Sequence, residues 1–243
     1  MAGERMRVHR ALALAGVASR RAAEGLVAEG RVSVNGEPAT VGQLVGPDDL
    51  LEVDGRRVSD PEHLRAYLLH KPAGVVSTAH DPQGRPTVLD DLPSDVRVYP
   101  VGRLDIDTTG ALLVTNDGEL AARLMHPSSK APKTYEALLQ GQVSAEAVRR
   151  LRRGVELEEG MTAPARVRAM DRRAAGGTWL EIELTEGRNR QVRRMGEAVG
   201  HRVLRLHRSR YAGIGLARLA PGRWRPISRA EWARLGASVG LER

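Results

Sequence analysis

Residues 102–117 read GRLDIDTTGALLVTND, a polar and acidic segment followed at once by an apolar run. The run at residues 111–115 is rich in Leu and Val and leads into an Asn-Asp-Gly turn, so it predicts a buried β-strand. Asp105 and Asp107 stand two residues apart just before that strand. Carboxylates just before the start of a strand can bind a metal ion, accept hydrogen bonds that close a turn, or act in catalysis. The rest of the sequence must distinguish these three roles.

The flanking sequence predicts many short strands and few helices. Alternation at residues 178–184 places Leu180, Ile182 and Leu184 on one face. Other strands are predicted from residue 67 and at residues 96–101, 133–139 and 165–170. Helices are predicted at residues 118–125, 145–153 and 189–199, with a last helix opened by the capping box of Ser228 and Glu231. Because strands outnumber helices without a strict βαβ order, we expect an α+β fold with a mixed, mostly antiparallel sheet flanked by helices.

The amino-terminal part of the chain predicts a small module of its own. Four apolar residues share one helical stripe: Val8, Ala11, Leu12 and Ala15. Gly16 ends that helix, and Ser19 is placed to cap a second one. Short strands follow, and a polar, proline-containing linker occupies residues 59–63. We therefore expect an α/β module over residues 1–62 and a larger domain over residues 63–243.

Charge is concentrated in two places. The formal net charge is +8, and of the 38 basic residues only Lys71, Lys130 and Lys133 are lysines. A GC-rich coding sequence would also enrich arginine, so the clustering is the informative feature. Residues 186–210 hold eight arginines against two glutamates, which predicts a phosphate-contacting surface. Arg20 and Arg21 begin the second helix, where a phosphate would also be favoured.

Other classes of protein are disfavoured by composition. There is no cysteine, so disulfides and cysteine-bound zinc are excluded. No run of 18 apolar residues is present, and the charged start of the chain lacks the apolar region of a secretory signal. These features predict a cytoplasmic protein that does not partner a membrane.

Three interpretations of Asp105 follow. The pattern Asp-x-Asp-x-Thr is that of the nucleophile in haloacid-dehalogenase-like phosphatases, but Asp171 is the only aspartate after Asp117, so no late acidic pair completes a magnesium site. A turn residue that accepts backbone hydrogen bonds is the second. The third is a carboxylate held by arginine, able to act as nucleophile or base. Arg103 would point to the opposite face of a strand, so residues 188–194 are the predicted donors.

The segment SRRAAEGLVAEGRVSVNGEPA resembles the S4-type RNA-binding domain, over about residues 6–60. That resemblance implies that the two helices grip structured RNA. The RNA contacts it implies are Arg7, Arg20, Arg21 and Arg31.

A second resemblance runs from about residue 6 to residue 230. Six motifs in order resemble the RsuA/RluB family of ribosomal pseudouridine synthases: KPAG from Lys71, DPQGRPTV from Asp81, GRLDIDTTG from Gly102, NDGEL from Asn116, KTY from Lys133 and EGRNRQVRRM from Glu186. The resemblance implies the pseudouridine synthase fold and the isomerisation of a uridine in RNA. It also implies that neither a cofactor nor a metal is used.

The same resemblance implies roles for individual residues. Asp105 is the expected catalytic carboxylate, acting on the ribose as nucleophile or base, and Arg193 is its expected partner. Tyr135 is expected to pack on the uracil, and Arg103 to enter the RNA stem when the target base is flipped out. Further RNA contacts are expected from Lys71, Arg188, Arg190 and Arg194.

The expected partner is a structured stem-loop of ribosomal RNA, bound by a monomer. Motifs such as Leu124-Met-His-Pro-Ser favour the large-subunit branch and 23S rRNA. Leu206-His-Arg is closer to the small-subunit branch, which leaves 16S rRNA as the alternative target. A non-catalytic S4-domain factor of ribosome assembly is the other alternative, and such a factor could lack Asp105 or Tyr135, which are both present.

Overall fold

The computed structural model describes residues 5–59, 62–93, 95–172 and 174–241. The chain forms two compact units. One consists of Met1–Leu64 with Pro93–Arg97, and the other of Arg65–Leu92 with Val98–Arg243. The segment Pro93–Arg97 falls within the range predicted for the larger domain, yet it packs with the smaller unit.

The described part of the first unit contains two helices and six short strands. They are β1 (Met6–Arg7), α1 (Val8–Leu14), α2 (Arg20–Ala28), β2 (Val32–Val34), β3 (Glu37–Pro38), β4 (Leu44–Val45), β5 (Leu51–Val53) and β6 (Arg56–Arg57). The strands pair in the order β3-β2-β5-β6, and β1 pairs with β4.

Local sequence explains these two helices. The Ser19 side chain accepts a hydrogen bond from the Ala22 backbone N–H, as the predicted cap of α2 requires. The predicted stripe of α1 buries Val8 and Leu12, which pack on Val27 of α2 and Val32 of β2. The module thus closes around one small apolar core.

The second unit is built on a large sheet. Its elements are β7 (Ala66–Lys71), β8 (Tyr99–Pro100), β9 (Thr109–Thr115), α3 (Gly118–Met125), a 3₁₀ turn (Pro127–Ser129), β10 (Lys133–Gln140), α4 (Ala145–Arg153), β11 (Glu156–Leu157), β12 (Gly160–Met161), β13 (Arg166–Ala169), β14 (Gly177–Leu184), α5 (Gln191–Ala198), β15 (Val203–Tyr211), β16 (Ile214–Gly215), β17 (Trp224–Pro226) and α6 (Arg229–Ser238). The strand order is β13-β14-β10-β15-β9-β7-β17, with β8 on β9 and β16 on β15.

The sheet is mixed and mostly antiparallel, as predicted. The one parallel pair among its described strands is β9 with β15, where His207 lies opposite Thr109 and Arg208 opposite Gly110. Strand β9 is the run that the sequence singled out, and Ala111, Leu112, Leu113 and Val114 are all buried.

Two apolar clusters flank the sheet. Helices α3 and α6 pack on β7 and β9, and Leu113 is among the buried residues there. Helices α4 and α5 pack on β10 and β14, where Leu180, Ile182 and Leu184 form the predicted inner face. The predicted buried side of α5 is confirmed by Val192, Met195 and Val199. Within the described residues, no helix combines the length and the hydrophobicity that a bilayer crossing requires.

Several sequence-based assignments differ from the structure. The strand β15, which lies at the centre of the sheet, was not predicted. The strand predicted at residues 96–101 is reduced to Tyr99–Pro100. Helix α5 begins two residues later than predicted, because Arg190 adopts a left-handed conformation with φ 47°. The capping box at Ser228 is present as predicted.

The substitution Gly110→Ala tests how closely β9 and β15 approach each other. A Cβ atom at Gly110 would lie 2.5 Å from the Arg208 backbone nitrogen and closer still to its carbonyl oxygen, and φ is +121°. We expect Gly110→Ala to lower the free energy of unfolding by about 3 kcal/mol, since overpacking of about 1–3 kcal/mol adds to a left-handed penalty of about 1–2 kcal/mol. Urea denaturation measures this loss.

Gly200→Ala is the matched control. Gly200 also has a positive φ, +85°, but a Cβ atom added there would meet no other atom within 4 Å. It should therefore show only the conformational penalty of about 1 kcal/mol. Equal losses for the two variants would contradict the tight strand packing.

Candidate active site

Asp105 lies in the loop that enters β9, and several hydrogen bonds fix this loop. Gly102 turns the chain with φ +77°. Ser77 binds both the N–H and the carbonyl of Leu104, at 3.1 and 2.9 Å. The Gly74 N–H donates to the Ile106 carbonyl, and the Thr108 N–H donates to the Asp105 carbonyl. The backbone around Asp105 is thereby held by the segment that follows β7.

Lys71 supports the loop from inside. Its side chain is fully buried, and Nζ donates to the carbonyls of Pro72 and Thr108 at 2.9 Å, with Ile106 more distant at 3.4 Å. Burial lowers the pKa of Lys71 to about 8, against the opposing attraction of Asp107 and Asp105. These carbonyls engage Lys71 within the protein, and its predicted contact with RNA stays a prediction. The sequence showed the lysine at a strand end but not the loop that folds over it.

Two arginines from the start of α5 approach the carboxylates. Arg190 Nη1 lies 3.4 Å from Asp105 Oδ2, and Arg193 Nε lies 4.0 Å from the same oxygen. The shortest ion pair of Arg193 is with Asp107, at 2.9 Å from Nη2 to Oδ2. Its Nη1 donates to the Val203 carbonyl, and its Nε is buried without a hydrogen-bond partner. The predicted donor segment thus reaches Asp105.

Asp107 is a site residue that the sequence analysis missed. It was the second carboxylate of the Asp-x-Asp pattern, and its spacing gave no indication of a bond to Arg193. The Asp105 side chain is 30% exposed. Among the described residues no backbone N–H donates to the Asp105 carboxylate, so the side chain does not close the turn.

Arg103 is exposed in the same loop. It does not lie in a strand, because β9 begins only at Thr109. The expectation that its side chain points to the opposite strand face is therefore wrong. Arg103 and Asp105 instead line one cavity.

Tyr135 forms part of the floor of that cavity. It lies in β10 directly opposite Arg208 of β15. The cavity has a volume of about 400 Å³. Besides Arg103, Asp105 and Tyr135 it is lined by Arg190, by residues 101–102, 124–127 and 185–189, and by Lys133, Arg208 and Tyr211. A carboxylate, a tyrosine ring and basic side chains thus face one space large enough for a nucleotide base.

Two of the predicted RNA contacts already have partners within the protein. Arg188 donates from Nη1 and Nη2 to the carbonyls of Gly160 and Met161, at 2.6 and 2.5 Å. Arg194 forms a two-point ion pair with Glu159, with Nη1 2.8 Å from Oε1. That hydrogen bond lowers the pKa of Glu159 to about 2. Both guanidinium groups brace the β11–β12 hairpin.

The first unit presents its own basic surface. Arg7, Arg20 and Arg21 are exposed, and a cavity of about 420 Å³ is lined by Arg7, Arg10 and Arg20 among others. Arg31 differs because its guanidinium binds both oxygens of Asp54, at 2.8 and 2.6 Å, and also Glu29. No group of three histidine or acidic side chains suited to a metal ion occurs among the described residues.

Comparison with known proteins supports the resemblances. Residues 65–198 match the family model of RNA pseudouridylate synthase, and residues 6–51 match that of the S4 domain. The chain is 46% identical to the ribosomal large subunit pseudouridine synthase B of Bacillus subtilis, across 95% of the chain and 96% of that protein. It is 44% identical to an RNA pseudouridine synthase of Aquifex aeolicus, across 98% and 96%.

A solved structure agrees with these matches. The crystal structure of a pseudouridylate synthase superimposes with a TM-score of 0.66 at 27% identity, covering 95% of this chain and 99% of that one. The predicted fold is confirmed. The chain is an enzyme of the RNA pseudouridylate synthase family, and it carries an S4 domain.

Proposed function

We propose that this enzyme converts a specific uridine of 23S ribosomal RNA into pseudouridine, with Asp105 as its catalytic carboxylate. The observation that carries the proposal is the cavity in which Asp105 faces Tyr135 and lies beside Arg190 and Arg193. The large-subunit name of the Bacillus subtilis relative supports the choice of 23S over 16S rRNA.

The reaction is an isomerisation. The bond between uracil N1 and ribose C1′ breaks, the uracil turns over, and a bond between C5 and C1′ forms while the proton on C5 is lost and one is gained at N1. Asp105 acts on the ribose, either as nucleophile at C1′ or as base at C2′. Both routes need the carboxylate form of the side chain. Arg190 and Arg193 add positive charge beside it.

The other cavity residues position the substrate. Tyr135 packs on the flipped uracil, and its half-buried ring faces the cavity beside Asp105. Arg103 is exposed in the adjacent loop, where it fills the space that the base leaves in the RNA stem. Flipping a base costs a few kcal/mol, and a side chain that replaces it in the stem offsets part of that cost.

The amino-terminal module supplies affinity. We assign residues 1–62 to RNA binding and residues 63–243 to catalysis. Arg7, Arg20 and Arg21 contact phosphates, whereas Arg31 acts mainly through its ion pair with Asp54. Arg190 reaches both Asp105 and the RNA backbone, whereas Arg188 and Arg194, the other two predicted RNA contacts of this segment, act mainly by bracing the β11–β12 hairpin. We infer a cytoplasmic monomer, since a single chain supplies both the module and the cavity.

Asp105→Asn tests the chemistry. We expect tritium release from RNA carrying 5-tritiated uridine to fall by about 10³-fold or more, because an amide can neither attack the ribose nor remove its proton. Affinity for the RNA should stay within about twofold, since phosphate contacts supply most of it. Asp171→Asn, at an exposed position of the same unit, is the control and should keep full activity.

The assay also separates the alternatives. Transcripts of 23S and 16S rRNA, modified in parallel and mapped by carbodiimide and primer extension, identify the target. Wild-type protein that binds both RNAs but releases no tritium from either would support the non-catalytic assembly factor. Asp105→Asn protein with wild-type turnover would refute the assigned carboxylate.

Arg193 and the Arg20–Arg21 pair should behave differently. Arg193→Ala removes a cation that binds Asp107 and approaches Asp105, so turnover should collapse while the slope of log affinity against log salt stays unchanged. The double variant Arg20→Ala, Arg21→Ala should lower that slope by about one to two and leave bound-state turnover intact. Nitrocellulose filter binding across a salt series measures the slopes. Equal salt-dependent losses of affinity with normal turnover would place Arg193 in an RNA groove instead.

Lys71 gives a test of loop positioning. Lys71→Met leaves the carbonyls of Pro72 and Thr108 without their donor, so the Asp105 loop should shift and kcat should fall by about 10–100-fold. The RNA affinity should change by less than about twofold because Lys71 is buried. Lys130→Met is the matched control, since Lys130 is exposed. A loss of affinity with unchanged kcat would support Lys71 as an RNA contact instead.

A further inference from the structure

Arg208 is a buried cation that the proposed chemistry does not use. It lies in the central strand β15 and is only 3% exposed. Its Nε donates to the Ala111 carbonyl of β9 at 2.8 Å. Its Nη2 is buried and has no hydrogen-bond partner. A buried guanidinium whose N–H group lacks an acceptor is unfavourable unless a ligand supplies that acceptor.

Lys133 is a second cation at the same place. Its Nζ donates to the Ala131 carbonyl at 2.8 Å, and an ammonium group has two further N–H donors. Both cations lie against the ring of the buried Tyr211, with Lys133 Nζ 5.7 Å and Arg208 Cζ 4.7 Å from its centroid. Both positive groups therefore lie close to one aromatic ring, and all three residues line the cavity.

The two acidic residues that line the same cavity, Asp105 and Glu186, do not form an ion pair with either cation in the described part of the chain. Among the described residues neither Arg208 nor Lys133 takes part in an ion pair. Glu186 attracts Lys133, but its carboxylate is bound by Gln191, the Ala163 N–H and Arg188. Burial lowers the pKa of Lys133, and the repulsion from Arg208 adds to that effect. The two cations thus carry positive charge that no ion pair of the described residues offsets.

The position of this pair points to the substrate. Both cations line the cavity that holds Asp105 and Tyr135, and Arg208 lies directly opposite Tyr135 across β10 and β15. Two largely buried cations that form no ion pair with the described residues suit an anionic ligand. Every nucleotide carries one, its phosphodiester, and a guanidinium matches phosphate oxygens well.

We propose that Lys133 and Arg208 bind a phosphodiester that flanks the target uridine, and so hold the flipped nucleotide by its backbone over Asp105. This inference rests on the proposed function, since it takes the cavity to be the uridine site. It adds a binding role for two residues that are distinct from the catalytic carboxylate and from the arginines of α5.

Methylphosphonate substitution tests the contact directly. Stem-loop RNAs from 23S rRNA are made with a neutral methylphosphonate at the 5′ or the 3′ phosphate of the target uridine. Their Kd values are measured by fluorescence anisotropy with protein carrying Asp105→Asn, which prevents turnover. Arg208→Met and Lys133→Met are added to this background. Arg205→Met, at an exposed position of the same strand, is the control.

At one of the two phosphates, we expect the effects of the methylphosphonate and of the protein variants on Kd to be non-additive. The methylphosphonate there should weaken binding by about tenfold when Lys133 and Arg208 are present, and by less than about twofold in either variant. The Arg205→Met control should keep the full tenfold effect. Additive losses at both phosphates in both variants would overturn the proposal and indicate a contact with the uracil instead.

Folding and function are checked separately. Arg208 also binds the Ala111 carbonyl, so thermal melting accompanies each variant, and Lys133→Met decides the outcome if Arg208→Met does not fold. Tritium release by the wild type from the unmodified stem-loop tests the proposed function itself. Failure of that reaction refutes the proposed function, whereas turnover with additive phosphate effects refutes only the phosphate contact.

Discussion

Strands β9 and β15 run parallel with so little space between Gly110 and Arg208 that no side chain fits at residue 110. The neighbouring strand pairs are antiparallel. This single parallel contact joins the part of the sheet covered by α3 and α6 to the part covered by α4 and α5. The loop before β9 therefore ends beside β10 and the start of α5. Asp105, Tyr135 and Arg193 come from distant parts of the sequence, and this strand contact brings them together.

The buried cations of the second unit differ in how many of their donors are bound by the protein. Lys71 donates hydrogen bonds to backbone carbonyls and fixes the loop. Arg193 is held by Asp107 and the Val203 carbonyl and turns its Nε toward Asp105. Arg208 donates from Nε to the Ala111 carbonyl, and its Nη2 has no hydrogen-bond partner. We therefore expect Lys71, whose donors are used within the protein, to have a structural role, and Arg208 to bind RNA.

Local structure was predicted from the sequence more successfully than tertiary contacts were. Helices α3 and α4 have the predicted bounds, because their caps and apolar spacing are local. Strand β15 was missed because its charged residues break the apolar alternation that marks a strand. The donor segment of Asp105 was found because its arginines cluster. The bond between Arg193 and Asp107 and the burial of Lys71 were not found, because each depends on how a loop closes over residues far away in the chain.

The net charge of +8 is a poor guide to where RNA binds. Arg31, Arg188 and Arg194 belong to arginine-rich stretches, yet carboxylates or carbonyls of the protein occupy their donors. In the described part of the chain, no ion pair engages Arg20, Arg21 or Arg103, and none engages Lys133 or Arg208. Phosphate affinity comes from cations that can exchange counterions for RNA, and a cation already paired within the protein releases none. The satisfied arginines stabilise the fold, and the remaining cations identify the two surfaces at which RNA is expected, one in each unit.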